Sequence, residues 1–252
     1  MNKQVPSAPA ERSVLGISSQ LALVRQQIAQ AVAASDRAPG SVALLAVSKT
    51  FGADAVIEAV RAGQSAFGEN YIQEGVEKIQ ALRKWLAEPA QASLPALQWH
   101  CIGPIQSNKT RPVAEHFDWV QSVDRLKIAE RLSEQRPADL PPLQICLQVN
   151  IDGGANKSGV APAEVLALAA EVLKLPRLAL RGLMTIPEPV AGFDAQVVVH
   201  AKARALFDEV KAALNLPQFD TLSMGMTGDL EAAVHAGSTM LRVGTAVFGG
   251  RT

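Results

Sequence analysis

The 252-residue sequence is poor in cysteine, in aromatic side chains and in net charge. Its two cysteines, Cys101 and Cys146, are too few for a disulfide framework, and both lie in apolar runs that predict buried, reduced thiols. The 24 basic and 24 acidic residues cancel. A neutral chain has no overall electric field that would attract nucleic acid or an anionic membrane. We therefore expect no nucleic-acid partner.

Long hydrophobic runs are also missing. A membrane helix needs about 20 consecutive apolar residues, and the richest segment, residues 165–175, is interrupted by Glu171 and Lys174. Residues 1–13 are polar and contain Pro6 and Pro9. They lack the charged start and apolar stretch of a signal peptide, and they predict a flexible N-terminus. These features predict a cytoplasmic protein that is not bound to a membrane.

Apolar runs of strand length alternate with helical patterns along the chain. The predicted strands cover residues 42–47, 65–67, 97–102, 119–122, 143–150, 178–185, 221–224 and 240–243. An additional helix is predicted over residues 17–35, and Asp54 and Asp124 are predicted to cap two of the later helices. Strands that are apolar on both faces favour a parallel sheet covered by helices. The sequence therefore predicts a single (β/α)₈ barrel over residues 14–252, with a doubly wound open sheet as the alternative.

A lysine at the end of the first strand is the most unusual local feature. The apolar run 42–47 stops at Ser48-Lys49-Thr50. Lysine seldom lies against apolar runs unless it is paired or used in chemistry. Partial burial lowers the pKa of a lysine amine and makes it a nucleophile for aldehydes. Lys49 is thus a candidate for covalent attachment of an aldehyde, and a solvated lysine at a strand end is the alternative.

Glycines and hydroxyl groups follow the last two strands. Gly225 and Gly244 would let backbone N–H groups approach an anion, and Ser223, Thr227 and Thr245 add hydroxyl donors. In (β/α)₈ barrels the loops after these strands commonly bind phosphate. The alternative is that the glycines only form tight turns.

A lysine together with a phosphate site predicts a cofactor that carries both an aldehyde and a phosphate, and pyridoxal 5′-phosphate (PLP) fits this description. Lys49 would form the imine, and Arg242 would face the ring nitrogen and keep it unprotonated. His100 either contacts the cofactor or packs at its strand end. The histidines share no metal-ligand spacing, and we predict no metal site. The predicted cofactor-binding residues are Lys49, Asn70, His100, Ser223, Met226, Thr227, Arg242, Gly244 and Thr245.

Seven motifs, spread in order over about four-fifths of the chain, resemble those of the pyridoxal phosphate homeostasis proteins, the vitamin B6-binding barrel family. They are L-L-A-V-S-K-T at 44–50, F-G-E-N-Y at 67–71, W-H-C-I-G-P-I-Q-S-N-K at 99–109, V-N-I-D-G-G-A-N-K-S-G at 149–159, R-G-L-M-T-I at 181–186, L-S-M-G-M-T-G-D at 222–229 and G-S-T-M-L-R-V-G-T-A-V-F-G-G-R at 237–251. The family usually has serine at the position of Thr227, where the hydroxyl is kept, and often an acidic residue at the position of Gly154.

The resemblance implies a barrel similar to the N-terminal domain of alanine racemase, with the cofactor held as an imine (Schiff base) on Lys49. It also implies a protein that binds, stores or supplies PLP and thereby influences amino-acid balance, without a catalytic activity of its own. Apo forms of PLP-dependent enzymes are the expected recipients, and we expect a monomer.

Two further functions are weighed against this one. A PLP-dependent amino-acid racemase needs a second base on the opposite face of the imine. Racemases of this barrel type take a tyrosine from an additional domain, whereas the only tyrosine of this chain, Tyr71, follows the second strand. A lysine-imine aldolase without a cofactor would leave Arg242 without a role. The sequence therefore favours a carrier.

Overall fold

The computed structural model describes residues 16–154 and 157–250, and the predicted flexible N-terminus lies outside them. Within these residues, parallel strands form a closed barrel in chain order, in which the last strand pairs with the first. The strands are β1 (Ala43–Val47), β2 (Ala66–Glu69), β3 (Gln98–Cys101), β4 (Trp119–Val123), β5 (Leu143–Val149), β6 (Leu178–Thr185), β7 (Thr221–Ser223) and β8 (Met240–Val243). The α-helices are α1 (Ile17–Ala34), α2 (Ala53–Arg61), α3 (Ile72–Leu86), α4 (Thr110–His116), α5 (Leu126–Gln135), α6 (Val165–Val172), α7 (Phe193–Ala213), α8 (Leu230–His235) and α9 (Thr245–Phe248).

The predicted (β/α)₈ barrel with an additional N-terminal helix is confirmed. The open-sheet alternative is wrong because β1 and β8 pair in register from Ala43↔Met240 to Ala46↔Val243. The observed strands begin and end within two residues of the predicted ones, and β6 and β8 have the predicted bounds.

The two predicted helix caps are wrong. The residue before α2 is Gly52, which places Asp54 in the first turn of the helix. The residue before α5 is Arg125, and Asp124 accepts a hydrogen bond from the Arg125 side chain at 2.7 Å. A carboxylate in a first turn still interacts favourably with the helix dipole, but it does not satisfy the terminal N–H groups.

Side chains alternate between the two faces of each strand, as the pleat of a β-strand requires. Those that face outward, such as Ala46 and Leu241, join the large apolar layer between the strands and the helices. Those that face the interior of the barrel include a small apolar cluster of Leu45, Val47, Ile102 and Met240. Four buried polar side chains, which the next section describes, also lie inside the barrel: His100, Gln121, Ser223 and Arg242.

Helix α1 covers the line along which the barrel closes. We call the paired segments 43–46 of β1 and 240–243 of β8 the β1–β8 seam. Helix α1 packs against α2, α8 and α9, and its buried stripe is Leu21, Val24, Ile28, Ala31 and Val32. Just beyond the helix, the Arg37 guanidinium donates to the backbone oxygen of Val234 at 2.8 Å. Within residues 16–154 and 157–250, no helix is long and apolar enough to cross a membrane.

Candidate functional site

Lys49 and the loop after β8 lie side by side at the carboxyl ends of the strands, which we call the mouth of the barrel. In the β1–β8 seam Ala46 pairs with Val243, so that the next residues along both strands, Val47 and Gly244, are also neighbours. A Cβ atom on Gly244 would lie 3.2 Å from the backbone oxygen of Val47. The chain thus passes from Val47 towards Lys49 beside Gly244.

Asn70 lies on the other side of Lys49. Strands β1 and β2 pair through Val47↔Gly68, so that Asn70 and Lys49 each lie two residues beyond the last paired positions. The candidate site therefore begins on three neighbouring strands, β8, β1 and β2.

The residue before Lys49 is held by a buried ion pair that the sequence analysis missed. The Ser48 hydroxyl donates to Glu69 Oε1 at 2.5 Å, and the Lys78 ammonium donates to the same carboxylate oxygen at 2.7 Å. Lys78 also donates to the backbone oxygen of Ser48 at 2.8 Å. Burial raises the pKa of Glu69 above its ordinary value, while Lys78 and Ser48 act in the opposite direction. Glu69 is thus the buried ion-pair partner of Lys78.

The residue after Lys49 has an unusual backbone conformation. Thr50 has a φ of 69°, which a β-branched side chain rarely adopts. Its N–H donates to Glu74 Oε1 at 2.6 Å, and Glu74 also accepts a hydrogen bond from Lys78 at 3.0 Å. The spacing of Glu74 and Lys78 on α3 is visible in the sequence, but such pairs are usually exposed, and nothing local indicates that Lys78 is only 4% exposed.

Arg242 points into the barrel and is fixed by oxygen acceptors from neighbouring strands. One of its terminal nitrogens donates to the backbone oxygen and the hydroxyl of Ser223, both at 2.8 Å, and the other donates to the backbone oxygen of Thr185 at 2.8 Å. Burial lowers the pKa of Arg242 to about 10, so the guanidinium stays charged at neutral pH. Arg242 therefore lies inside the barrel, and its contact with a ring nitrogen stays a prediction.

A chain of hydrogen bonds connects Arg242 to His100. The Ser223 hydroxyl donates to Gln121 Oε1 at 2.7 Å, and Gln121 Nε2 lies 2.9 Å from His100 Nδ1. Because Gln121 Nε2 is a donor, His100 Nδ1 accepts and its Nε2 carries the proton. The His100 ring is fully buried and stacks on Trp119 with 5.0 Å between ring centroids. The packing described as the alternative for His100 is therefore present, while its contact with a cofactor stays a prediction.

The loop after β7 is shaped by a carboxylate that the sequence analysis did not include. Gly225 has a φ of 93°, and a Cβ atom there would lie 2.4 Å from Cβ of Ala233. The Met226 N–H donates to Asp229 Oδ1 at 2.6 Å, and Asp229 Oδ2 lies 2.9 Å from His200 Nε2. The amide of Met226 is thus already paired within its own loop. Met226 and Thr227 are exposed, as is Thr245 in the neighbouring loop.

Several buried polar atoms near the mouth have no hydrogen-bond partner within the described ranges. Three of them belong to residues at or just beyond the ends of β2, β5 and β6, namely Asn70 Oδ1, Asn150 Oδ1 and Thr185 Oγ1, and a fourth is His100 Nε2 inside the barrel. Buried polar groups are normally paired, and those that are not call for an explanation such as a bound molecule. These residues therefore fit a polar ligand at the mouth, next to one lysine and one arginine.

Comparison with known proteins defines the class of this barrel. Residues 21–252 match the family described as alanine racemase, N-terminal domain. The pyridoxal phosphate homeostasis protein of Pseudomonas aeruginosa is 56% identical over 235 residues, which are 93% of this chain and 96% of that protein. The protein of the same name from Vibrio cholerae is 53% identical over 228 residues, which are 90% of this chain and 93% of that protein.

A solved structure agrees with this assignment. PipY from Synechococcus elongatus, determined with PLP bound, is 37% identical, covers 92% of this chain and 100% of its own, and superposes with a TM-score of 0.78. The chain belongs to the family of pyridoxal phosphate homeostasis proteins.

We expect His100 to make the folded protein less stable in acid. Burial lowers the pKa of His100 from 6.5 to about 3, so the unfolded chain binds a proton that the folded chain does not. The contribution of neutral His100 to the free energy of unfolding is fully present above pH 6.5. It is lost as the pH falls towards 3, by about 1.4 kcal/mol per pH unit. The free energy of unfolding, measured with urea, should fall between pH 7 and pH 5 by about 2 kcal/mol more in wild type than in His100→Gln, whose glutamine does not titrate. Parallel pH profiles of the two proteins would contradict this expectation.

Proposed function

We propose that this protein binds PLP at the mouth of the barrel, as an imine on Lys49, and holds it reversibly for intracellular PLP homeostasis. The observation that carries the proposal is the β1–β8 seam, which brings the end of β1, just before Lys49, next to Gly244 after β8. Arg242, on β8 itself, points into the barrel. Family membership and the PLP-bound structure of PipY support the same ligand.

Each part of the site has a separate task in this proposal. The Lys49 amine attacks the aldehyde carbon, the carbonyl oxygen leaves as water, and the reverse reaction with water releases the aldehyde. Gly244 precedes α9, in which the N–H groups of Val247 and Phe248 donate to the backbone oxygen of Gly244, so those of Thr245 and Ala246 are the ones that suit a phosphate. The hydroxyls of Thr227 and Thr245 add donors. The phosphate contacts do not depend on the lysine, so affinity has two separable sources.

Arg242 sets the chemistry that the bound ring can perform. Its guanidinium is charged at neutral pH and is held in place by Ser223 and Thr185. A protonated ring nitrogen beside it would bring two positive charges together, so Arg242 keeps that nitrogen unprotonated. An unprotonated ring withdraws electrons weakly, which favours storage of the cofactor over the chemistry of amino acids.

We expect borohydride reduction of the PLP-loaded protein to attach the cofactor irreversibly to Lys49. Peptide mapping should find the modified lysine in wild type and in the control Lys109→Ala, because Lys109 is an exposed lysine in the loop after β3. Lys49→Ala should give no adduct but should still bind PLP weakly, through the phosphate contacts. An unmodified Lys49 in wild type would refute the proposed attachment, and complete loss of binding in Lys49→Ala would refute the separate phosphate contribution.

The alternative function, an amino-acid racemase, needs a second base opposite Lys49. Tyr71, the only tyrosine of the sequence, precedes α3 and is 53% exposed. An exposed phenol at a helix start is poorly placed to take a proton from a buried substrate.

We therefore expect no turnover of amino acids. Incubation of the loaded protein with L-alanine or D-alanine, followed by chiral chromatography, should show conversion of no more than one molecule per protein molecule. Sustained conversion that Lys49→Ala abolishes would establish the racemase instead.

We further propose a cytoplasmic monomer that delivers PLP to apo forms of PLP-dependent enzymes. The loaded protein should restore activity to an apo-transaminase in the presence of an aldehyde trap that removes free PLP, and sedimentation of the donor should give the mass of one chain. The trap distinguishes direct transfer from release into solution. Failure to restore activity with the trap present would exclude direct delivery.

A further inference from the structure

We propose that Lys78, acting with Glu69 and Glu74, is a positioning residue that fixes the segment 48–50 and thereby the site of cofactor attachment. We call Ser48, Glu69, Glu74 and Lys78 the Lys78 cluster. The proposal rests on the proposed function, in which Lys49 carries the cofactor. It assigns a role to a buried cation of α3 that the binding site itself does not use.

The Lys78 ammonium uses its full donor capacity inside this cluster. Its three hydrogen bonds go to the backbone oxygen of Ser48 at 2.8 Å, to Glu69 Oε1 at 2.7 Å and to Glu74 Oε1 at 3.0 Å. An ammonium group has three N–H donors, so Lys78 is fully satisfied although it is only 4% exposed. Glu69, the fully buried partner, compensates the charge of Lys78, and loss of such a partner is strongly unfavourable, whereas Glu74 is one-third exposed.

The two carboxylates extend these contacts to both sides of Lys49. Glu69 Oε1 accepts the Ser48 hydroxyl at 2.5 Å, and Glu74 Oε1 accepts the Thr50 N–H at 2.6 Å. Each carboxylate oxygen therefore joins Lys78 to one neighbour of Lys49. Lys78, Glu69 and Glu74 thus hold the backbone on both sides of Lys49. They thereby fix the position of the Lys49 Cα atom.

The conformation of Thr50 shows that the segment is held against its own preference. A φ of 69° is unfavourable for a β-branched residue and persists only where the surroundings impose it. Two contacts hold it: the Phe51 N–H donates to the backbone oxygen of Ser48 at 3.1 Å and closes a tight turn, and the Thr50 N–H donates to Glu74. If the cluster only connected α3 to the barrel, the Ser48 and Glu69 contacts would suffice, and there would be no need for a bond to the strained residue.

The test uses Glu74, because it is one-third exposed and its loss leaves Lys78 two buried partners. We expect Glu74→Ala to slow imine formation with PLP at least about tenfold, measured by stopped-flow absorbance, because small displacements of a reacting group reduce rates steeply. Binding of pyridoxine 5′-phosphate, which lacks the aldehyde, should be unchanged. Glu74→Gln keeps an acceptor oxygen for Thr50 and should react faster than Glu74→Ala.

The matched control is Glu77→Ala on the same helix. Glu77 is exposed and accepts a hydrogen bond from Gln73 at 2.8 Å, and it is not one of the carboxylates that bind Lys78. It should react at the wild-type rate. Lys78→Met removes the central cation, and the folded variant should form the imine more slowly than Glu74→Ala. The thermal unfolding midpoint of every variant is recorded beside its rate.

The outcomes separate the two proposals. A wild-type rate in Glu74→Ala would overturn the positioning role while leaving the attachment to Lys49 intact. Equal losses of imine formation, pyridoxine 5′-phosphate binding and thermal stability would also overturn it, since the cluster would then only stabilise the fold. Absence of any adduct on Lys49 in wild type would refute the proposed function itself, and the positioning role with it.

Discussion

The pairing of β1 with β8 is the contact on which the rest of the site depends. It joins Ala46 to Val243, residues from nearly opposite ends of the chain, and it closes the barrel. Gly244 passes close to Val47 in consequence, and a larger residue at this position would approach the backbone oxygen of Val47. Without this pairing, Lys49 and the loop after β8 would lie at the ends of two strands that do not touch. With it, they lie next to each other at the mouth of the barrel.

Polar groups inside the barrel are stabilised by their connection to one another. Arg242 is buried, but its donors reach Ser223 and Thr185, and Ser223 continues to Gln121 and His100. A charged guanidinium in such a place is tolerable only when its donors are satisfied. His100 contributes no charge because its burial keeps it neutral. The bonded chain thus fixes the position and the direction of the Arg242 guanidinium.

The sequence predicted those parts of the structure that depend on local patterns. Apolar runs bounded by glycine, proline or polar residues located the strands, and the abrupt end of β1 indicated Lys49. Partners that meet only through the fold were not predictable in this way. Lys78 lies on an amphipathic helix whose neighbours Val76, Ile79 and Leu82 are equally buried, and only the barrel shows that it faces Glu69.

The same limit explains the other residues that were missed. Gln121 is a polar residue within an apolar strand, and its partners His100 and Ser223 lie on β3 and β7. Asp229 ends the motif at 222–229, but the motif does not reveal that its carboxylate accepts the Met226 N–H and pairs with His200. Asp54 and Asp124 have the residue type of a cap, but the helices begin beside them at other positions. The residue type shows that aspartate can cap a helix, but the residue at which the helix begins determines whether it does.

The position of the seam has a consequence for the order of events during synthesis of the protein. Strand β8 leaves the ribosome after the other strands of the barrel, and until it pairs with β1 the mouth lacks Arg242 and Gly244. Contacts between such distant parts of a chain form late in folding. A nascent chain therefore presents Lys49 long before the loop after β8 reaches the mouth, and under the proposed function tight binding of the cofactor is coupled to completion of the barrel. In that case a bound cofactor would stabilise only the form in which the barrel has closed through β8.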